Sequence, residues 1–557
     1  MVCRLLGGIV LGVECHFIDV QVDLGAGLPT FDVVGLPGMA VRESRNRVRS
    51  AIQNSGFAFP LERLTVNLAP ADLPKTGVAL DLPIALGILA AIGAIPADSL
   101  SHWVAAGELG LDGRIQPVPG LLPIAIAARQ AGYPLLAARS GWGEVQAVSG
   151  LQLLPAATLA EAALLLRQGA RARPVEEWFR SDAGLSQGLP GREEGSSLLT
   201  DSTDSLTTPA GDTGLDVADV QGCEEAKRAL QVAVAGGHHL LLIGPPGSGK
   251  TMLGRRAAGL LPALTPTEAL VVSQVYSVAG ALPHGLLQHR PWRAPHPSCT
   301  MAGMIGGGSP LRPGEVSLAH SGVLFLDELP HFRPEVLEAL RVPLEEGFTR
   351  LARWGRSLTF PAGFTLVAAM NPCPCGYLGD ATRPCRCSER QRRQYLRALS
   401  GPFLDRIDLK IAVTRTLPTT AAASNADVAD MGRSLVPPEM EPVVTSQTMR
   451  AQIHLARQRQ YARLGIGRCN RSLQPGEAHL LGLSPEAADL LHRARGHYGL
   501  TRRQAFRRLT VARTIADLQD HEKIQAEDAA EAVELCAGWQ PGPAPAAETQ
   551  ETVYDTE

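Results

Sequence analysis

The sequence has few aromatic residues, no long apolar run and no excess of positive charge. Phe, Trp and Tyr make up 4% of its 557 residues, which argues against an extended surface on which single-stranded bases stack. The formal net charge of −3 excludes nucleic-acid binding by bulk positive charge, although not by a local basic channel. Any nucleic-acid partner should therefore be held by a patch of the surface.

Membrane insertion and export are not expected. The longest apolar stretch, Leu82 to Ile95, is too short to span a bilayer and is predicted to form a buried helix. The apolar run after Arg4 leads into Glu14, Cys15 and His16 rather than into a small-residue cleavage site. Ten cysteines in a chain of this length fit a reducing compartment. These features predict a cytoplasmic protein.

Composition and periodicity divide the chain into regions, with about three or four domains expected from its length. Alternating strand-like and helix-like segments predict an α/β domain at the N-terminus, and helical periodicity dominates near the C-terminus. Between them lie polar, Ser- and Pro-containing segments. The predicted regions are an α/β domain at 1–170, a flexible linker at 171–211, a second folded region at 212–415, a loop at 416–445, a helical region at 446–539 and a disordered acidic tail at 540–557.

The most informative stretch is LLLIGPPGSGKT, an apolar run followed by a glycine-rich loop and a helix-like segment. It matches the phosphate-loop pattern GxxxxGK[ST] in its strand-to-helix context. Glycines let backbone N–H groups cradle phosphates at a helix N-terminus, the lysine reaches the β- and γ-phosphates, and the hydroxyl ligates Mg²⁺. The predicted ATP-binding residues are Gly244, Pro245, Pro246, Gly247, Ser248, Gly249, Lys250 and Thr251.

Three further polar residues follow buried strands downstream of this loop. GVLFLDE ends in Asp327, which suits Mg²⁺, and Glu328, which suits polarising the attacking water. LVAAMN ends in Asn371, which a parallel sheet would place beside the γ-phosphate. The sequence therefore predicts a site for ATP hydrolysis, with Mg²⁺ between Thr251 and Asp327.

Four cysteines cluster directly after Asn371. Two CxC pairs separated by a short polar loop can bring four thiolates around a tetrahedral Zn²⁺, although reduced, metal-free thiols remain the alternative. The predicted zinc ligands are Cys373, Cys375, Cys385 and Cys387.

Two insertions carry several basic residues. The first is the long glycine- and proline-rich stretch before Asp327. The second, GFTRLARWGRSLTFPAG, is predicted to be a β-hairpin. Arginines at such places are often simply solvated loop residues. The basic residues of the first insertion are Arg290, Arg293, His296 and Arg312, and those of the hairpin are Arg350, Arg353 and Arg356.

Several segments together resemble the ComM/YifB family of magnesium-chelatase-like AAA+ ATPases. The likeness runs from the first strands to about residue 538. The segments that carry it are GLPGMAVRES, VNLAPADLPKTGVALDLPIA, DVADVQG, AKRAL, AGGHHLLLIGPPGSGKTML, GEVSLAHSGVLFLDELP, RVPLEEG, LVAAMNPCPCGYLGD, SGPFLDRIDL and VARTIADL.

The resemblance implies an α/β fold with a Lon-protease-like N-terminal domain, an AAA+ phosphate-loop core built on a parallel sheet, and a C-terminal helical lid. Where Lon-type proteases have their serine, this chain has Ala79, so protease activity is not expected. Thr76 is the nearby hydroxyl, and no base is identifiable beside it.

The resemblance also implies roles for three residues around the γ-phosphate. Asn371 would align the water, Arg406 would be the arginine finger that reaches a neighbouring subunit, and Arg503 would be the second sensor on the lid. The alternative for Arg406 is an ion pair with Asp405 or Asp408. For Arg503 it is a solvated face of the lid, with Arg502 or Arg507 making the contact instead.

The resemblance implies a homo-hexameric ring that couples ATP hydrolysis to movement on branched or single-stranded DNA. It also implies that the two insertions line the central pore, where Arg350, Arg353 and Arg356, repeated in every subunit, would make a basic channel for DNA. Branch migration or helicase activity in homologous recombination and natural transformation is the expected role. The alternative is an ATP-driven remodeller of a protein or metallo-enzyme complex, as in magnesium chelatase.

Overall fold

The computed structural model describes residues 2–182, 215–283, 285–353, 355–380, 382–414 and 444–537. The predicted tail, nearly all of the predicted loop at 416–445 and the predicted linker beyond residue 182 lie outside these ranges. Within them, every helix is too short or too polar to cross a bilayer.

The N-terminal unit is built on an eight-stranded mixed sheet in the order β10-β9-β8-β5-β1-β2-β4-β3, and β6 and β7 form a separate two-stranded sheet. Its strands are β1 Cys3–Leu11, β2 Glu14–Gly25, β3 Thr30–Val34, β4 Arg63–Ala69, β5 Val104–Ala106, β6 Glu108–Leu109, β7 Ile115–Gln116, β8 Leu135–Ala138, β9 Gln152–Ala156 and β10 Arg173–Pro174. Its helices are α1 Met39–Asn54, α2 Asp81–Ala91, α3 Leu121–Ala131, α4 Trp142–Val145, α5 Leu159–Arg167 and α6 Val175–Asp182.

This unit extends further along the chain than the predicted boundary at residue 170. Strand β10 pairs antiparallel with β9, and helix α6 follows it directly. The indole of Trp178 in α6 donates a hydrogen bond to the carbonyl of Leu153 at 2.9 Å. Because these contacts fix the segment onto the sheet, the start of the predicted linker moves past residue 182.

The apolar stretch from Leu82 forms helix α2, which is buried along almost its whole length, as predicted. At the position expected for a protease nucleophile, Ala79 packs beside the apolar cluster around α3 and β8. The Lys75 side chain is buried, and its ammonium donates to the carbonyl of Pro70. These residues therefore serve packing within the unit.

The second unit has a five-stranded sheet, all parallel, in the order β12-β15-β18-β11-β19. Its strands, with two small hairpins, are β11 Leu240–Ile243, β12 Trp292–Arg293, β13 Gly306–Gly307, β14 Arg312–Pro313, β15 Val323–Leu326, β16 Phe348–Arg353, β17 Arg356–Pro361, β18 Thr365–Met370 and β19 Leu409–Ala412. Its helices are α7 Glu224–Gly236, α8 Lys250–Leu260, α9 Pro266–Ala279, α10 Met301–Ile305, α11 Glu315–Leu318, α12 Pro334–Ala339, α13 Arg341–Glu346, α14 Glu389–Leu396 and α15 Gly401–Leu404.

The strand order explains where this sheet can bind a ligand. The chain leaves β11, crosses to the edge strand β12, returns through β15 and β18, and then passes to β19 on the other side of β11. Connections on opposite sides of one strand open a crevice at its carboxyl end. The predicted phosphate loop begins at that end of β11. The parallel-sheet core is thus the one expected from the sequence.

Four helices at the C-terminus form the predicted lid and pack on the core. The hydroxyl of Ser484 accepts a hydrogen bond from the N–H of Ala487, which caps the second of them as the sequence indicated. Helices α16 and α18 both contact α7. The lid helices are α16 Ser446–Leu464, α17 Pro485–His497, α18 Arg502–Leu518 and α19 Ala526–Ala537.

The N-terminal unit is joined to the core through helix α9. The N–H of Gly120 donates to the carbonyl of Ser277 at 2.8 Å, and the N–H of Leu122 donates to the Ser277 hydroxyl at 3.2 Å. That buried hydroxyl donates in turn to Glu144 at 2.8 Å. Satisfied polar groups of this kind fix the orientation of two packed surfaces.

Candidate nucleotide site

The phosphate loop joins β11 to the N-terminus of α8, so that its backbone N–H groups gather at a helix start. Gly247 and Gly249 have φ of 77° and 85°, a conformation that side chains disfavour. Gly244 is needed for a different reason, since a Cβ there would lie 2.2 Å from the carbonyl of Val413. The three glycines therefore set the shape of the loop.

Lys250, the first residue of α8, points back into the loop. Its ammonium donates to the carbonyls of Gly244 at 2.8 Å and Pro245 at 2.7 Å. Burial lowers its pKa to about 8, an effect that the negative charge of Asp327 partly opposes. The ammonium is thus held where a bound phosphate would lie, ready to exchange carbonyl partners for phosphate oxygens.

The two predicted Mg²⁺ ligands come together. The hydroxyl of Thr251 donates to Oδ2 of Asp327 at 2.8 Å, across the space between α8 and the end of β15. The other Asp327 oxygen accepts from the N–H of Glu328 at 2.9 Å. A hydroxyl and a carboxylate at this separation fit the oxygen ligands that Mg²⁺ prefers.

Glu328, the proposed water-polarising residue, is exposed and has a φ of 51°. A non-glycine residue in this left-handed region is uncommon and is typical of functional sites. The turn directs the chain away from the sheet directly after β15, which leaves the Glu328 carboxylate at the mouth of the crevice.

Asn371 directly follows Met370, the last residue of β18. The Met370 carbonyl accepts a hydrogen bond from the N–H of Gly244 at 3.2 Å. Asn371 therefore lies next to the start of the phosphate loop. Gly376 lies beside both, since a Cβ on it would be 3.8 Å from Asn371 Cγ and 2.6 Å from Cδ of Pro246. The segment after β18 thus packs directly on the loop.

Tyr395 on α14 was not recognised from the sequence. Its pKa is raised to about 12, chiefly by burial, and a backbone hydrogen bond from Asn371 acts in the opposite direction. Its ring lies edge-on to that of His331, with the ring centroids 6.1 Å apart. No local sequence pattern identifies Tyr395 as a site residue, because its position near Asn371 depends on how the preceding cysteine segment folds.

The four predicted metal ligands also come together. The sulfur of Cys373 lies 3.4 Å from that of Cys375 and 3.6 Å from that of Cys385, and all four sulfurs lie within 4.8 Å of one another. A disulfide would require about 2.05 Å, whereas Zn–S bonds of about 2.3 Å place tetrahedral sulfurs about 3.8 Å apart. The arrangement fits a structural Zn²⁺.

The two arginines implied by the resemblance share one partner. Nη2 of Arg406 lies 2.7 Å from Oε2 of Glu345, and Nη1 of Arg503 lies 2.9 Å from Oε1 of the same carboxylate. The Asp405 and Asp408 partners considered for Arg406 are thus replaced by Glu345. Glu345 stands in the RVPLEEG segment, where sequence reasoning assigned it no role.

The alternatives to Arg503 differ in their surroundings. Arg507 is mostly buried, with its Nε 3.8 Å from Oδ1 of Asp408 and its Nη1 donating to the carbonyl of Arg471 at 2.7 Å. It therefore belongs to the contact between lid and core. Arg502 is exposed at the start of α18.

The predicted hairpin forms from β16 and β17, with Arg353 paired opposite Arg356. Its second strand lies against the N-terminal unit, where Leu358 is buried and Arg356 lies 2.6 Å from Asp72. Arg350 stacks over the ring of Phe348, with the guanidinium 4.7 Å from the ring centroid. Arg353 is exposed at the tip.

Two arginines of the first insertion are buried in ion pairs. Arg290 is buried and pairs with Glu268 at 3.0 Å, and Arg293 is buried and pairs with Glu315 at 2.7 Å. Both hold this stretch onto the core, which corrects the expectation that they contact DNA. His296 and Arg312 remain exposed.

Family models match the three regions of the chain. Residues 20–138 match the model described as subunit ChlI of Mg-chelatase. Residues 216–421 match magnesium chelatase, subunit ChlI, and residues 444–535 match the C-terminal part of the same subunit.

Curated relatives match nearly the whole length. Competence protein ComM of Haemophilus influenzae is 40% identical over 526 residues, which cover 94% of this chain and 95% of the relative. The uncharacterized protein YifB of Escherichia coli is 41% identical over 527 residues, with 94% of each chain covered.

Proposed function

Because the chain belongs to the ComM/YifB family of magnesium-chelatase-like AAA+ ATPases, we propose that it is a ring-forming ATP hydrolase that moves DNA. The observation that carries the ATPase part is the hydrogen bond between Thr251 and Asp327 at 2.8 Å, with Glu328 next to it. It brings the Mg²⁺ ligands and the water-polarising carboxylate to one end of the sheet.

In this proposal, groups of the chain itself bind the phosphates, orient the attacking water and neutralise the negative charge of the transition state. Loop N–H groups and Lys250 bind the phosphates, Glu328 accepts a proton from the attacking water, and Asn371 orients that water. Thr251 and Asp327 would hold a Mg²⁺, which would supply positive charge to the phosphates. Arg406 supplies further positive charge at the site of a neighbouring copy, which is why a ring, expected to be hexameric, is required. Because Arg503 of the lid shares the Glu345 carboxylate with Arg406, we infer that this second sensor acts at the same neighbouring site.

The DNA part rests on the hairpin and on the relative named for competence. Arg353 is exposed at the tip of the hairpin. One such arginine from every subunit would line the pore with positive charge, although each chain has a net charge of −3. We infer that the substrate is branched or single-stranded DNA and that the role is branch migration in recombination and natural transformation.

The family models favour a second candidate, an ATP-driven remodeller of a protein or metallo-enzyme complex, because all three are described by magnesium chelatase. The exposed arginine hairpin favours the DNA motor over this reading. The two differ in what should stimulate hydrolysis.

ATP hydrolysis measured with and without three- and four-way DNA junctions tests the proposal. The motor predicts a rate several times higher with junctions, and Arg353→Ala should remove most of that increase at unchanged basal rate. Arg167→Ala, an exposed arginine of α5, is the matched control and should leave the increase intact. A rate that no DNA changes would favour the remodeller.

A further inference from the structure

Glu345 lies where three parts of the molecule meet. It is in the last turn of α13, and β16 of the hairpin begins shortly after it, at Phe348. Arg406 belongs to the core just before β19, whereas Arg503 belongs to the first turn of the lid helix α18. One carboxylate therefore joins an arginine of the core to an arginine of the lid.

Arg406 is held tightly within its own chain. Its Nε donates to the carbonyl of Arg341 at 3.2 Å, its Nη1 to the carbonyl of Pro402 at 2.6 Å and its Nη2 to Glu345 at 2.7 Å. The side chain is only 12% exposed. Each guanidinium nitrogen thus has a partner, and the arginine can reach a phosphate of another subunit only after contacts break.

Glu345 is the partner that a phosphate can best replace. Carbonyls are neutral acceptors, whereas Glu345 and a γ-phosphate are both anions that take a charge-assisted hydrogen bond. Arg503 is 39% exposed and Glu345 41% exposed, so an incoming anion has access to the pair.

We propose that Glu345 is a latch, a positioning residue that holds Arg406 and Arg503 on their own subunit and yields them to the γ-phosphate in the site of the adjacent copy. The inference rests on the proposed function, because the phosphate comes from a second copy of this chain. Since α13 leads into β16, the exchange of partners takes place at the base of the hairpin.

Competition of this kind sets the direction of the effect. If the arginines must leave Glu345 to reach the transition state, then removal of the carboxylate lowers the barrier. Glu345→Gln should therefore raise kcat for ATP hydrolysis without DNA by up to about fivefold, the range expected for an exposed ion pair. KM should change little. A residue that merely stabilised the fold would lower kcat instead.

Mixed rings show whether the effect acts on the neighbour. Lys250→Ala subunits cannot hold the phosphates of their own ATP, so in a mixture with wild-type subunits only the wild-type sites hydrolyse. An excess of Lys250→Ala subunits gives most wild-type sites a mutant neighbour. Adding Glu345→Gln to the Lys250→Ala chain should then increase hydrolysis per wild-type subunit, because those neighbours donate their arginines more easily.

Two variants serve as controls. Glu335→Gln removes an exposed carboxylate from the adjacent helix α12 and should leave the rate unchanged. Glu345→Asp keeps the charge but shortens the side chain by one methylene, so its rate should lie between those of the wild type and of Glu345→Gln. A larger increase with Glu345→Asp than with Glu345→Gln would overturn the latch, because loss of the charge would then not be responsible.

Equal or slower hydrolysis in the Glu345→Gln mixture, compared with the mixture that keeps Glu345, would also overturn the latch while leaving the ATPase proposal intact. Absence of hydrolysis by the unmodified chain alone would contradict the proposed function and the latch with it. Both comparisons are made without DNA, so that failure of the DNA proposal does not affect them.

Discussion

Lys250 shows how the surroundings of one residue set its chemistry at the proposed site. An exposed lysine has a pKa near 10.4, but burial in the phosphate loop lowers that of Lys250 to about 8. Its hydrogen bonds to two carbonyls keep the ammonium in position. The nucleotide-free protein thus loses this charge at a pH where most lysines keep theirs.

We predict that kcat/KM for ATP falls by about tenfold per pH unit above pH 8, since this ratio reports the ionisation of the free protein. The sign follows from the charge, because the neutral amine attracts phosphate less. The measurement is steady-state hydrolysis from pH 6.5 to 9.5. A ratio that stays flat across this range would contradict the assignment of Lys250.

Elements determine how these residues meet. The strand β18 carries Asn371 at its end, and the cysteine segment that follows places Gly376 against Pro246 of the phosphate loop. A metal held by the four thiolates would therefore support one wall of the nucleotide site. Loss of that support should affect nucleotide binding as well as stability.

We predict about one Zn²⁺ per chain, and Cys385→Ser should release it, because a structural site of this kind needs all four ligands. The variant should unfold at lower temperature and bind ATP more weakly. Metal content and thermal unfolding measure this directly. The control variant Cys299→Ser, which lies outside the cluster, should keep its metal. An unmodified chain that contains no zinc, and that unfolds at the same temperature as Cys385→Ser, would rule the site out.

The lid is fastened to the core by Asp408, which is buried between them. Its Oδ2 accepts from Nε of Arg471 at 2.9 Å and from the N–H of His239 at 2.9 Å. Burial opposes its ionisation, but Arg471 and its other cationic neighbours more than offset this and hold its pKa below the usual range. The stabilisation is therefore present above the unfolded-state pKa of about 4 and is lost as pH falls through the lower folded-state pKa.

Asp408→Asn should lower the free energy of unfolding by about 3 kcal/mol, because it leaves buried cationic groups without their counter-charge. Denaturant unfolding at neutral pH measures this change. Asp405→Asn, a neighbouring exposed carboxylate, should change stability by less than about 0.5 kcal/mol. Equal losses in the two variants would show that burial of the charge is not the cause.

Local patterns predicted much of this arrangement. The run LLLIGPPGSGKT specifies its own strand, loop and helix, and EEAKRALQVAVAG forms α7 from Glu224 to Gly236. Contacts between distant segments could not be predicted in the same way. Arg406 and Glu345 are 61 positions apart, and either could have paired with several charged neighbours. Arg290 and Arg293 likewise could be assigned to ion pairs only once the fold was known.

At the scale of the whole molecule, the proposal joins three regions in one cycle. The core binds the nucleotide, and the lid contributes Arg503. The hairpin adjoins α13 of the core and contacts the N-terminal unit through Leu358 and Arg356. In a ring, the arginines of one copy would respond to the nucleotide of the next. A change at one site could then move the adjacent hairpin, and DNA with it.

Conversion of a synthetic four-way junction into duplex products measures ATP-driven movement of DNA by this protein. The unmodified chain should convert the junction in the presence of ATP and Mg²⁺. Glu328→Gln should bind ATP and the junction but give no conversion, because it lacks the carboxylate that accepts the proton. A junction left unchanged by the unmodified chain, or converted equally by Glu328→Gln, would rule out ATP-driven movement of DNA through this site.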